Sequence, residues 1–153
     1  MSTLIRSAKR GDEIVLIKLI KGLAGFENDL EAVENTPERL AHDLFDGKIC
    51  EALIAEQDKQ IVGFAIFYTS YSTWKGPCMY LEDLYIIPEA RGTGAGGVLF
   101  DHVVELAKQR NFSRMDWQIL DWNAPAIEFY KKRGATIDED WLNGRMFFQS
   151  ADS

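Results

Sequence analysis

Apolar residues change their spacing along this chain, and each change marks a different kind of element. TLIRSA (3–8) is a short apolar stretch that predicts a strand. Gly11 and Asp12 then form a helix-start signal. Ile14, Ile17, Ile20, Leu23 and Ala24 follow at the spacing of one helical face, which predicts a helix ending near Gly25. TPERLAHDLF (36–45) repeats that grammar, with Thr36 as N-cap and Pro37 at the first helical position. An acidic loop, FENDLEAVEN, separates the two helices.

From Cys50 the pattern turns to period two and continuous apolar runs. CEALIAE, QIVGFAIFYTSY and MYLEDLYII predict three consecutive strands, the first two joined by a tight turn at QDKQ. VGFAIFY is apolar on both faces, which places it inside a covered sheet. After a glycine-rich stretch, Leu99, Val103, Leu106 and Ala107 mark a helix running to about Arg110. SRMDWQIL predicts a strand, NAPAIEFYKKR a helix closed by Gly134, and ATIDED and GRMFFQS two short final strands. The order β-α-α-β-β-β-α-β-α-β-β gives an α/β fold in a single domain over residues 1–153. Its central sheet is mixed and mostly antiparallel, of about six or seven strands, with helices on both faces.

Composition narrows the function classes. A chain of 153 residues that is 46% hydrophobic and 27% charged is a globular domain, not a disordered or fibrous one. No apolar run is long enough to cross a bilayer and the first residues lack a signal-peptide pattern, so no membrane partner and a cytoplasmic location are expected. Cys50, Cys78, His42 and His102 have no partners at ligand spacing, so no metal site is expected. The net charge of −7 comes without a basic patch, which argues against nucleic acid and favours a cationic small substrate.

The candidate chemistry begins at IIPEARGTGAGGVLF (86–100). A Walker loop is excluded because Val98 and Leu99 follow Gly97 where Lys and Ser or Thr are needed. Gly92, Gly94 and Gly97 do spell the dinucleotide fingerprint G-x-G-x-x-G, and Asp121 falls at the end of the next strand. However, PEAR intervenes after the strand, and too little chain follows for a second half of that fold. Counted from the arginine, the stretch reads Arg91-x-x-Gly94-x-Gly96 between a strand and a helix. There the backbone from Arg91 and Gly92 through Thr93, Gly94 and Ala95 to Gly96 and Gly97 can turn its N–H groups on a pyrophosphate, as coenzyme A requires. A ligand-free turn is the remaining alternative, at an entropic cost of about 1 kcal/mol per glycine.

Two other features bear on the chemistry. Asn123, Ile127 and Tyr130 recur at i, i+4 and i+7, so Tyr130 shares a helix face with the capping Asn123. Glu82 and Asp83 interrupt an apolar strand, and adjacent strand residues project to opposite faces. One carboxylate therefore lies inside, where it needs an arginine or a cationic substrate as partner.

With R-x-x-G-x-G after the fourth strand, the chain resembles the GNAT superfamily of acetyl-CoA-dependent N-acetyltransferases. LAGFEND, IVGFAIFYTSYSTWKG, YLEDLYIIPEARGTGAG and DWNAPAIEFYKKRGA are similar, in order and spacing, to blocks of its diamine (spermidine/spermine) acetyltransferase branch. The resemblance implies direct acetyl transfer to an amine, with Tyr130 as general acid and Glu82 drawing off the amine proton through water. It implies that backbone at Leu84, Tyr85 and Ile86 grips the thioester end of acetyl-CoA beside a β-bulge, and that Asn123, Ala126 and Tyr130 line the pantetheine arm. Phe26, Glu27, Glu82, Asp83 and Trp122 would line the acceptor cleft, and the chain would be a homodimer. One departure stands out: the branch carries an acidic residue just before a Gly-Trp-Arg near the C-terminus, whereas this chain reads DEDWLNGR. The acceptor is thus open among a diamine, a polyamine and a lysine- or thialysine-like amine. Protein or peptide acetylation, or acyl-CoA binding without catalysis, are the alternatives.

Overall fold

The computed structural model describes residues 2–148. They form two compact units, one up to Trp117 and one from Gln118 onward. The first unit contains a five-stranded sheet in sequence order: β1 (Leu4–Ser7), β2 (Glu51–Gln57), β3 (Gln60–Ser72), β4 (Gly76–Ile86) and β5 (Met115–Asp116). β1 to β4 pair antiparallel, and β5 lies parallel to β4. The turn between β2 and β3 is made by Asp58 and Lys59, at φ 51° and 66°, the left-handed pair that matches the twist of a two-residue hairpin. A parallel neighbour needs a crossover, supplied here by α3 (Ala95–Gln109).

Two helices precede β2. α1 spans Glu13–Phe26, and α2 (Pro37–Ala41) runs on into a π-helical turn, His42–Asp46. The expected cap is present, with Thr36 Oγ1 accepting from the Arg39 amide at 3.2 Å. Leu16, Ile17, Leu40 and Leu44 from these helices pack with Ile54, Phe64, Ile66 and Tyr85 from the sheet. Alternate strand residues Leu53, Ala65 and Phe67 turn to the other face and are equally buried, as are Leu99, Phe100 and Val103 of α3. The doubly apolar reading of VGFAIFY is thereby explained. Gly63 serves a different purpose in that run: a Cβ there would come within 2.6 Å of the Tyr85 carbonyl and also collide with Ile86, so only glycine lets β3 approach β4 at this point.

In the second unit, α4 (Ala124–Lys132) begins at Asn123, whose Oδ1 accepts from the Ala126 amide at 3.3 Å, and stops before Gly134 at φ 90°. Here the sequence-based strand count needs correction. SRMDWQIL forms a strand only at Met115–Asp116, and no strand forms at 135–148 among the described residues, giving five strands instead of six or seven. The last two residues of GRMFFQS lie outside the described residues. A strand exists by virtue of its partner, and the apolar pattern of ATIDED and GRMFF specifies none. Asp138 instead accepts bonds from the Asp140 amide and from Trp141 Nε1, local contacts that compete with a ladder.

Candidate active site

The glycine-rich stretch follows β4 through a 3₁₀ turn at Pro88–Ala90. Gly92 and Gly94 both take positive φ, 80° and 89°, and no atom lies within 4 Å of where a Cβ would stand at either. Gly94 immediately precedes α3, and no side chain caps that helix end. The first-turn amides of α3 have no acceptor within their own helix, so this open, uncapped loop suits an anion. That is the fit a pyrophosphate requires, and the residues present meet it.

Side chains hold the loop in place. Arg91 Nε donates to the Ile86 carbonyl at 3.1 Å, and its guanidinium lies 5.1 Å from the Phe26 ring centroid and 5.7 Å from that of Tyr85. Arg91 thus joins the loop to the end of α1, the segment expected to line the acceptor cleft. Two residues on, the Thr93 hydroxyl donates to the Ala90 carbonyl at 2.6 Å and accepts from Gln57 Nε2 at 2.9 Å. The sequence reading overlooked Gln57. Its one visible mark is a polar residue closing the apolar run CEALIAEQ.

The second feature is a bulge in β4. Ile66 pairs with Asp83 and Phe67 with Leu81, so Glu82 is an extra residue without a partner on β3. Without it Tyr80 and Asp83 would face opposite ways. With it, both share a face with their cross-strand partners Tyr68 and Ile66, on the α1 side of the sheet. The bulge also settles which carboxylate is the more interior: Glu82 is exposed and Asp83 is part-buried. Burial pushes the Asp83 carboxyl up to about 7, and the charges of Glu82 and Glu27 add to that. Glu27, at the end of α1, is itself raised by burial and by Asp29. Tyr68 is raised by burial and by Glu82, and its ring lies 5.2 Å from that of Tyr80. Among the described residues no cation forms an ion pair with Asp83. Three carboxylates thus gather beside two aromatic faces, an arrangement that favours a cation.

Beyond the bulge, β4 has a free edge. β5 pairs only with Met79 and Tyr80, so no strand of the described residues lies against Leu84, Tyr85 and Ile86 on the side away from β3. In the second unit, the Asn123 side chain is engaged as cap to the Ala126 amide, and Trp122 is exposed. Tyr130 is half-buried with its ring edge-on to Phe129 at 5.2 Å, and burial pushes its phenol up to about 12.

Residues 23–135 match the acetyltransferase (GNAT) family. The chain belongs to that family. It is 38% identical to the thialysine N-epsilon-acetyltransferase of Bos taurus over 150 residues, covering 90% of this chain and 88% of the relative. It is 35% identical to the spermidine/spermine N(1)-acetyltransferase-like protein 1 of Homo sapiens over 148 residues, 90% of this chain but 21% of that much longer protein. Among solved structures, an integron cassette protein from the mobile metagenome of V. cholerae superposes with a TM-score of 0.77 at 25% identity, over 99% of this chain and 94% of the other. This acetyltransferase therefore carries the fold expected from its glycine signature and the diamine-branch likeness expected from its four sequence blocks. No helix among the described residues is long and apolar enough to cross a membrane.

Proposed function

We propose that this acetyltransferase moves the acetyl group of acetyl-CoA directly onto a primary amine of a small cationic substrate, namely a diamine, a polyamine or a lysine- or thialysine-like amine. The observation that carries the reading is Asp83, a part-buried carboxylate with two further carboxylates around it and, among the described residues, no cation in an ion pair with it. The bovine relative's name, a thialysine N-epsilon-acetyltransferase, and the human relative's, a spermidine/spermine N(1)-acetyltransferase-like protein, support the same class.

Acetyl-CoA, when bound, supplies the activated acyl thioester. Its diphosphate would be held by the amides from Arg91 to Gly97, with Asn123, Ala126 and Tyr130 serving the pantetheine arm and the free edge at Leu84–Ile86 serving the thioester end. Phe26, Glu27, Asp83 and Trp122 bind the acceptor. An amine of pKa about 10.4 is neutral in only about one molecule in a thousand at pH 7, so the site must remove its proton. Glu82, exposed at the bulge, passes that proton to water, while Asp83 fixes the nitrogen by its charge. Tyr130 donates to the departing thiolate. Neither cysteine stands in a nucleophile setting, which favours direct transfer; Cys78 is fully buried. We also assign a homodimer, supported by Trp141, Leu142, Met146, Phe147 and Phe148, which are 80–96% exposed within eight residues and would be covered by a second copy.

A screen of thiol release over diamines, polyamines, lysine, thialysine and peptides tests this assignment. Turnover of at least one free diamine or lysine analogue at more than ~10 times the peptide rate is expected. Preference for peptides would move the enzyme to protein acetylation, and coenzyme A binding without release from any acceptor would make it a binding module.

A further inference from the structure

We infer that Gln57 is a positioning residue for the diphosphate-binding loop, holding it open through a hydrogen bond to Thr93. The inference rests on the coenzyme A reading above and adds a residue which that reading does not include.

Gln57 and Asp12 are the buried polar side chains among the described residues, at 5% and 7% exposure. Asp12 is explained by the fold, since it accepts from Arg6 at 2.8 and 3.1 Å and from the Lys9 amide at 2.8 Å. Gln57 ends β2, and its amide reaches two separate segments, donating to Thr3 Oγ1 at 3.1 Å and to Thr93 Oγ1 at 2.9 Å. The direction of the second bond is fixed, because the Thr93 proton is already given to the Ala90 carbonyl at 2.6 Å. The chain of donors therefore runs from Gln57 through Thr93 to Ala90.

The loop needs such an anchor. Thr93 stands between Gly92 and Gly94, both at positive φ with open space around them. Glycine occupies either sign of φ almost equally, so the backbone alone does not select the conformation seen at Gly92 and Gly94. Thr93 is the residue between them with a side chain, and Gln57 is the group from the rigid sheet that grips it. Release of the grip lets the loop spread over alternatives, and apparent affinity falls by the fraction of time the competent form is present.

The experiment uses the full chain and two donors: acetyl-CoA, and S-acetylpantetheine, which has the same thioester but neither diphosphate nor nucleotide. In Gln57→Leu and in Thr93→Val, affinity for coenzyme A by calorimetry is expected to fall about tenfold. The ratio of kcat/KM for acetyl-CoA to that for S-acetylpantetheine should fall by a similar factor. The double variant should be no weaker than either single one, because both remove the same bond. Coenzyme A affinity within twofold of wild type, or equal losses with both donors, overturns the inference by showing no role or a general packing role. If Gln57→Leu does not fold, Thr93→Val carries the same comparison. A wild-type chain that binds no coenzyme A overturns the underlying reading as well, which separates the two failures.

Discussion

Asp83→Asn is expected to make the enzyme more stable and nearly inactive. The folded Asp83 carboxyl lies at about 7, against 3.8 for an ordinary one, so between those values the folded chain binds more protons than the unfolded chain. Stability then falls as pH rises from about 4 to about 7, and the full penalty persists above that window. Asparagine removes an ionisation that burial and two neighbouring charges oppose. Urea unfolding at pH 8 should show a gain of roughly 2–4 kcal/mol, shrinking as the pH approaches 5. Activity should move the other way, because the substrate cation loses its buried counter-charge: kcat/KM for the amine at pH 8 is expected to fall about a hundredfold. In the wild type, log kcat/KM should climb with slope two below pH ~7, where both Asp83 and the amine must lose a proton, and with slope one above it. The variant should keep slope one throughout. A variant that is no more stable at pH 8 and retains the steeper limb would place the charge elsewhere.

Tyr130→Phe is the second large effect. A phenol at about 12 stays protonated across the working range, so Tyr130 is always ready to donate. It is a weak acid for the task, since a thiol such as that of coenzyme A sits near 8.5 and full transfer from a phenol at about 12 is uphill by about 3.5 pH units. Its contribution is therefore a hydrogen bond that strengthens as charge gathers on sulfur. Loss of the hydroxyl should lower kcat about a hundredfold or more and leave acetyl-CoA affinity within about twofold. Steady-state kinetics beside calorimetry separates the two quantities, and unchanged kcat would remove Tyr130 from the chemistry.

Much of the first unit is legible in the sequence because local rules decide it. Thr36-Pro37 starts a helix by its own hydrogen bonding, QDKQ closes a two-residue turn, and R-x-x-G-x-G puts positive-φ glycines at an uncapped helix start. Period two fails where pairing decides. ATIDED and GRMFF have strand-like apolar patterns, yet they remain outside any ladder among the described residues. The bulge at Glu82 was foreseen only from the resemblance, because a one-residue slip depends on β3 and leaves no mark in YLEDLYII. For the same reason the adjacency of Glu82 and Asp83 showed that one is buried but not which. Gln57 was missed because its partners, Thr3 and Thr93, lie 54 and 36 residues away.

The most direct measurement follows backbone amides of the isotopically labelled protein by NMR while coenzyme A is added. The largest shifts should fall on Gly92 to Gly97, with smaller ones along Leu84 to Ile86, and hydrogen exchange at the loop should slow on saturation. Saturable binding that leaves the amides of residues 92–97 where they were would contradict the assignment of this loop as the diphosphate site.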